Sequence, residues 1–158
     1  MFRNWAKDPE VTKYLTWPPH TDVGVTHALL EEWTRQYSDP AWYSWAMELR
    51  QTGELIGNIS VVHMEEQIEA AEIGYCMGRA WWGKSLMPEA LRAVMGFLFD
   101  EVGANRVCAK HDRRNPKSGR VMEKAGMQRE GILRAAAYNN HGVCDLVCYS
   151  ILRAEYRT

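Results

Sequence analysis

The sequence is most informative at first through what it lacks. It has no run of ~18 apolar residues, so no helical membrane span is expected. No apolar stretch of the signal-peptide kind stands near its start. Net charge is scarce: 19 Lys and Arg face 20 Asp and Glu in 158 residues, a balance of −1. Nothing global therefore points to nucleic acid or an anionic membrane, and any anion site must be local. Cysteine is sparse too. Cys76, Cys108, Cys144 and Cys148 form no C-x-x-C pair and have no histidine cluster beside them, which argues against a metal. No Ser-His-Asp or Cys-His arrangement is evident, so a covalent acyl-enzyme is not expected.

What remains is an ordinary globular composition, 46% hydrophobic and 25% charged. One domain over 1–158 is the expectation. Buried, reduced thiols would suit a cytoplasmic protein.

Periodicity gives an order of elements. Residues 2–15 read as a short helix ended by WPPH, and 22–37 as a second helix capped by Thr21 or Asp22. Its apolar face would hold Val25, Leu29, Leu30 and Trp33. Strands follow at 42–49, 55–63 and 70–77, then a long helix over 88–103 stopped by Gly103. A strand at 105–111, a short helix at 118–126 and strands at 127–136 and 143–152 complete the chain. Hairpins followed by one β-α-β crossover predict an α+β (α/β layered) fold around one mixed, mostly antiparallel sheet.

The stretch GRAWWGKS (78–85) matches the phosphate-loop pattern G-x-x-x-x-G-K-[ST]. A nucleotide hydrolase would also need an acidic strand. The available acid, Asp100, continues the helical spacing of Leu91, Val94 and Leu98, so it lies in the wrong kind of element. Two adjacent tryptophans would further obstruct close wrapping of a phosphate. A P-loop nucleotide-binding protein is therefore only the third reading. The underlying physics survives: a strand, a Gly/Lys/Ser turn and a helix start gather unpaired amides at the positive end of a dipole, which suits an anion.

EIGYCMGRAWWGKSLMPEAL (72–91) and NPKSGRVMEKAGMQREGILR (115–134) resemble the GNAT superfamily of N-acetyltransferases, and within it the ribosomal-protein-alanine N-acetyltransferase group. The likeness runs over nearly the whole chain, from FRNWAKDPEVTKYLTWPP to the closing G-x-x-D-x-V-x-Y-S-I-L. It implies the GNAT fold, acetyl-CoA as co-substrate and no metal. The family's Q/R-x-x-G-x-G/A loop, which binds pyrophosphate through main-chain amides, falls on Ala80 to Ser85. Expected diphosphate contacts are Trp82, Gly83, Lys84 and Ser85, continuing into Leu86 and Met87. Ala80 and Ser85 depart from the pattern, and Ser85 would be strained at positive φ.

The resemblance also assigns Tyr75, Cys76 and Met77 to the pantetheine arm, as an added-strand contact, and Asn115 beside them. Ser118 matches a proposed proton donor to the leaving thiolate, and doubles as a candidate N-cap. Glu72 is the first choice of base; Glu48, His111 or water are alternatives. Arg113, Arg114, Lys117 and Arg120 form a basic loop that either meets phosphate or is solvated. Asp145, Ala135 to Ala137 and some of Trp17, Trp33, Trp42 and Trp45 are expected near the acceptor.

Members usually open with a strand that is not found before FRNWA. A shortened sheet is expected, with an exposed or partner-covered edge that leaves room for a homodimer; a start ~15 residues upstream is the alternative. The acceptor would be an amine, either a protein N-terminus or a small molecule. A second function class stays open: an acyl-CoA-binding sensor or interaction module with weak catalysis.

Overall fold

The computed structural model describes residues 1–156. The chain opens with a wide helical turn over Phe2–Ala6 and the short helix α1 (Pro9–Thr12). Sequence patterning predicts one helix here. Pro9 explains the break: it has no N–H to continue the first turn, and Asp8 restarts the helix by accepting from the Glu10 N–H at 2.9 Å. Helix α2 (Val23–Gln36) is capped by Asp22, whose Oδ1 accepts from the Gly24 and Val25 amides. Its expected apolar face is incompletely covered, since Val25 and Leu30 are exposed.

The sheet contains β1 (Ser44–Leu49), β2 (Glu54–Glu65), β3 (Ala70–Met77), β4 (Arg106–Asp112), β5 (Gln128–Asn139) and β6 (Gly142–Leu152). Their spatial order is β1-β2-β3-β4-β6-β5. Every neighbour is antiparallel except β3–β4, the pair joined by the crossover helix α3 (Leu86–Asp100). Helix α4 (Pro116–Ala125) follows β4, and a final turn, α5 (Arg153–Tyr156), closes the described chain. No strand lies outside β1 among the described residues, so β1 is an edge.

One face of the sheet carries the main core. Leu91, Met95, Leu98 and Phe99 of α3 and Met122 of α4 pack on Ile59, Ile73, Val107, Ala109 and Val147. A smaller cluster of Trp5, Ala6 and Val11 packs with Trp17, Cys76 and Trp82. Tyr75 packs with the first cluster and its neighbour Cys76 with the second, as alternation along a strand requires.

Two differences from the sequence reading matter for the site. α3 begins at Leu86, two residues before Pro88, which therefore sits in the first turn. α4 begins at Pro116 with Asn115 in the cap position, so Ser118 is the third helical residue and not the N-cap. Proline supplies the start because its fixed φ suits a first helical position.

Candidate active site

The site begins with a sheet that comes apart. β3 and β4 pair only over Ala70–Glu72 and Arg106–Cys108. Beyond that point β3 stays with β2, where Met77 faces Gly57, while β4 stays with β6, where Asp112 faces Leu146. A gap opens between them. Main-chain direction follows from two bonds at its ends. The Glu69 carbonyl accepts from Asn105 on the β4 side at 2.8 Å, and the Gly78 N–H donates to Ile56 on the β2 side at 2.8 Å. Alternation then turns the main-chain groups of Tyr75 and Met77 into the gap and those of Cys76 toward β2. Of the three expected arm contacts, the backbone geometry thus brings two to the gap and turns Cys76 away. The Met77 carbonyl is already used, accepting from the Trp82 indole at 2.7 Å. The Tyr75 N–H and C=O and the Met77 N–H are left to face the gap.

At the wide end lies the Gly-rich turn. Arg79–Trp81 forms one tight turn, and Gly83 then takes φ +77°. That left-handed conformation costs other residues roughly 1–2 kcal/mol, which is why glycine is needed here. Ser85 also sits at φ 59°, the strained position that the departure from the family pattern anticipates. The amides of Gly83, Lys84, Ser85, Leu86 and Met87 have no acceptor among the described residues. Gly83 to Ser85 are exposed. Five unpaired donors at the positive end of a 15-residue helix can hold an anion without a metal. Asp100 is the last residue of that same helix, so the acidic strand of a nucleotide hydrolase is absent from the place the phosphate-loop reading would need it.

The facing wall is α4. Lys117 places Nζ 5.2 Å over the Trp82 ring and so spans the gap mouth. Asn115 makes no side-chain bond to cap its helix and is half-buried beside Pro116. Ser118 Oγ lies 2.9 Å from Tyr75 Oη. Gly119 lets α4 descend onto the sheet: a Cβ there would stand 2.7 Å from His111 Nε2. His111 is buried and its Nδ1 is bound to the Asp112 carbonyl at 2.8 Å, which makes it a packing residue in this structure.

The opposite face of the gap is polar. Glu72 stands at its narrow end, paired with Lys110 at 2.6 Å. Glu48 is exposed on the edge strand β1, two strands from the gap. Burial pushes the Cys76 thiol up to about 12, so it is a protonated thiol and not a nucleophile. The basic loop divides. Arg114 donates to Asp112, and Arg113 approaches Asp145 at 3.6 Å. Arg79, next to Ala80 where the family pattern has Gln or Arg, is paired with Asp8 at 3.2 Å. Lys84 at the turn and Lys117 and Arg120 on α4 remain exposed.

Three features escape sequence reading. Asp112 is buried and accepts from Arg114 and Asn139, fastening the end of β4 to the β5–β6 hairpin. Asp145 accepts from the Ala135 N–H at 2.9 Å, where Ala135 takes φ 48° in a bulge of β5. Asn140 ties the hairpin tip to the Thr12 and Trp17 carbonyls. Asp145 belongs to the closing motif, but its bond to Ala135, like those of Asp112 to Asn139 and of Asn140 to Thr12 and Trp17, depends on packing that no local pattern reports.

A sheet split beside a helix start with free amides is the arrangement that the resemblance to N-acetyltransferases implies. The family model described as "Acetyltransferase (GNAT) domain" matches residues 1–128. The Bacillus licheniformis protein named uncharacterized N-acetyltransferase p20 is 30% identical over 152 residues, covering 96% of this chain and 85% of that protein. The [ribosomal protein uS5]-alanine N-acetyltransferase of Escherichia coli is 34% identical over 80 residues, 49% of this chain and 41% of its own. The crystal structure of a GNAT-family acetyltransferase from Bacillus anthracis superposes with a TM-score of 0.82 at 25% identity, covering 98% of this chain and 92% of that one. The chain belongs to the GNAT acetyltransferase family. Its fold and relatives are those of N-acetyltransferases, and the domain implies acetyl-CoA as co-substrate.

Proposed function

We propose that this single domain moves an acetyl group from acetyl-CoA to an amine by direct attack, the amine being a protein N-terminus or a small molecule. The observation that carries the reading is the set of free amides at Gly83 to Met87, set beside the gap between β3 and β4. Bound there, acetyl-CoA supplies the activated thioester. The amides at 83–87 take the diphosphate, helped by Lys84 and Lys117. Tyr75 and Met77 pair with the amide-bearing arm as a short added strand, and Asn115 has a free side chain on the same wall.

The two faces of the gap divide the remaining work. Ser118 stands on the α4 face and gives a proton to the departing sulfur. Glu72 stands on the other face and takes the proton that the amine must lose. Its carboxylate lies 2.6 Å from the Lys110 ammonium. The acceptor approaches from the Glu72 side. Four free cysteines suit a cytoplasmic setting.

The sensor reading has two observations in its favour: Ser85 at φ 59° and Arg79 committed to Asp8 both weaken the loop. Free-thiol release from acetyl-CoA with a panel of N-terminal peptides and small amines decides between the readings. Release with at least one amine, lowered ~100-fold by Glu72→Gln, supports the transferase. Tight acetyl-CoA binding with no release for any amine supports the module.

A further inference from the structure

A serine in a helix can turn its hydroxyl back to a carbonyl about a turn earlier in the chain. Ser118 does not. Its Oγ has one hydrogen-bond partner among the described residues, the Tyr75 phenol at 2.9 Å. The same phenol lies 3.0 Å from the Ser118 carbonyl. Both contacts cross from β3 to α4, the two walls of the gap.

A phenol carries one proton. When Tyr75 donates it to Ser118 Oγ, the serine oxygen is held by accepting and its own single proton is left to point into the gap. The approach is close because Gly119 lets α4 settle against His111, whose ring packs at a tilt against Tyr149 with centroids 5.8 Å apart. Meanwhile the Tyr75 main chain faces the gap from the strand. One residue therefore offers its backbone to an extended arm and its side chain to the hydroxyl opposite.

We infer that Tyr75 is a positioning residue for acetyl transfer: its phenol holds the Ser118 hydroxyl out of α4 and in the gap, aimed where the sulfur departs. The inference rests on the reading of Ser118 as the proton donor. Burial raises the phenol's pKa above its ordinary value, with the Ser118 bond opposing and Tyr149 adding to the rise. The phenol therefore stays protonated, and Tyr75 orients the acid without being it.

Two measurements test this. The first is thiol release with the best amine of the panel, for Tyr75→Phe, Ser118→Ala and the double variant. Tyr75→Phe should lower kcat about tenfold, the worth of one ordinary hydrogen bond, with the KM for acetyl-CoA changed less than about twofold. In the Ser118→Ala background it should do nothing further; in the Ser118→Thr background, which keeps a hydroxyl, its penalty should return. Unchanged kcat in Ser118→Ala would sink the donor reading, and this inference with it. Losses that multiply, or a change in KM alone, would overturn the role of Tyr75 while leaving Ser118 in place. The second needs no turnover. In a crystal of Tyr75→Phe with coenzyme A, Ser118 Oγ should turn back onto α4. An unchanged Ser118 rotamer there would overturn the inference.

Discussion

Two glycines at the site, Gly83 and Gly119, hold positions where another side chain would be penalised, and Ser85 holds one where glycine would be easier. Gly83 needs φ +77°, and a Cβ there meets nothing within 4 Å. Gly83→Ala should therefore cost roughly 1–2 kcal/mol through backbone strain alone. Gly83→Glu adds bulk and negative charge among the free amides and should abolish stabilisation by acetyl-CoA in a thermal melt. An unchanged acetyl-CoA shift in that variant would refute the diphosphate site. Ser85 is the reverse case, a serine where glycine would be easier. Ser85→Gly should leave Tm equal or raise it by the equivalent of up to ~1 kcal/mol, because relief of φ 59° outweighs the added freedom of the unfolded chain. Gly119→Ala sets two effects against each other. Alanine gains about 1 kcal/mol of helix propensity. A methyl 2.7 Å from a hydrogen-bonded His111 overpacks the interface, at typically 1–3 kcal/mol. Overpacking should win, and a lower Tm together with reduced kcat is the expected result.

Among the elements, β4 and the β5–β6 hairpin depend on one carboxylate. Burial alone would raise the Asp112 pKa, but donors from Arg114 and Asn139 outweigh it and hold the group well below the usual range. A depressed folded pKa contributes stability that is complete well above the unfolded value of about 3.9, begins to be lost as pH falls past that value, and is gone only below the depressed folded value. Wild-type Tm should thus drop as pH is taken from about 5 to about 3. Asp112→Asn should be less stable at pH 7 by about 1–3 kcal/mol and should show a shallower acid slope. Parallel acid slopes for the two proteins would contradict this account of Asp112.

The same scale shows why some of the site was legible in the sequence. The turn at 82–87 and the strand before it are local: a glycine, a helix start and an alternating strand are enough to mark them. The start of α4 was misread by two residues because Ser118 is a plausible cap by composition, whereas Pro116 fixes the true beginning. The direction of the Cys76 backbone needed the pairing of β3 with β2. The Ser118–Tyr75 contact joins residues 43 apart, and the Asp112–Asn139 contact residues 27 apart. No periodicity reports such pairs, because they depend on how distant segments pack.

At the level of the whole molecule, the proposed acetyl transfer rests on one discontinuity in the sheet. β3 and β4 stay paired for three residues and then each keeps a different partner. That divergence creates the gap, exposes main-chain donors along it, and puts α4 and the polar face of Glu72 on opposite sides of one opening. The GNAT fold and the N-acetyltransferase class follow from the chain's relatives and its architecture. The acceptor and the roles of Ser118 and Glu72 are proposals with their own assays.

The central claim is that the gap and the helix start together hold acetyl-CoA. A crystal structure of the protein with coenzyme A tests it most directly. The account predicts the diphosphate against the amides of 83–87, the arm paired with Tyr75 and Met77, and the sulfur within hydrogen-bond reach of Ser118. Coenzyme A bound elsewhere, with the turn at 82–87 making no contact to phosphate, would contradict it.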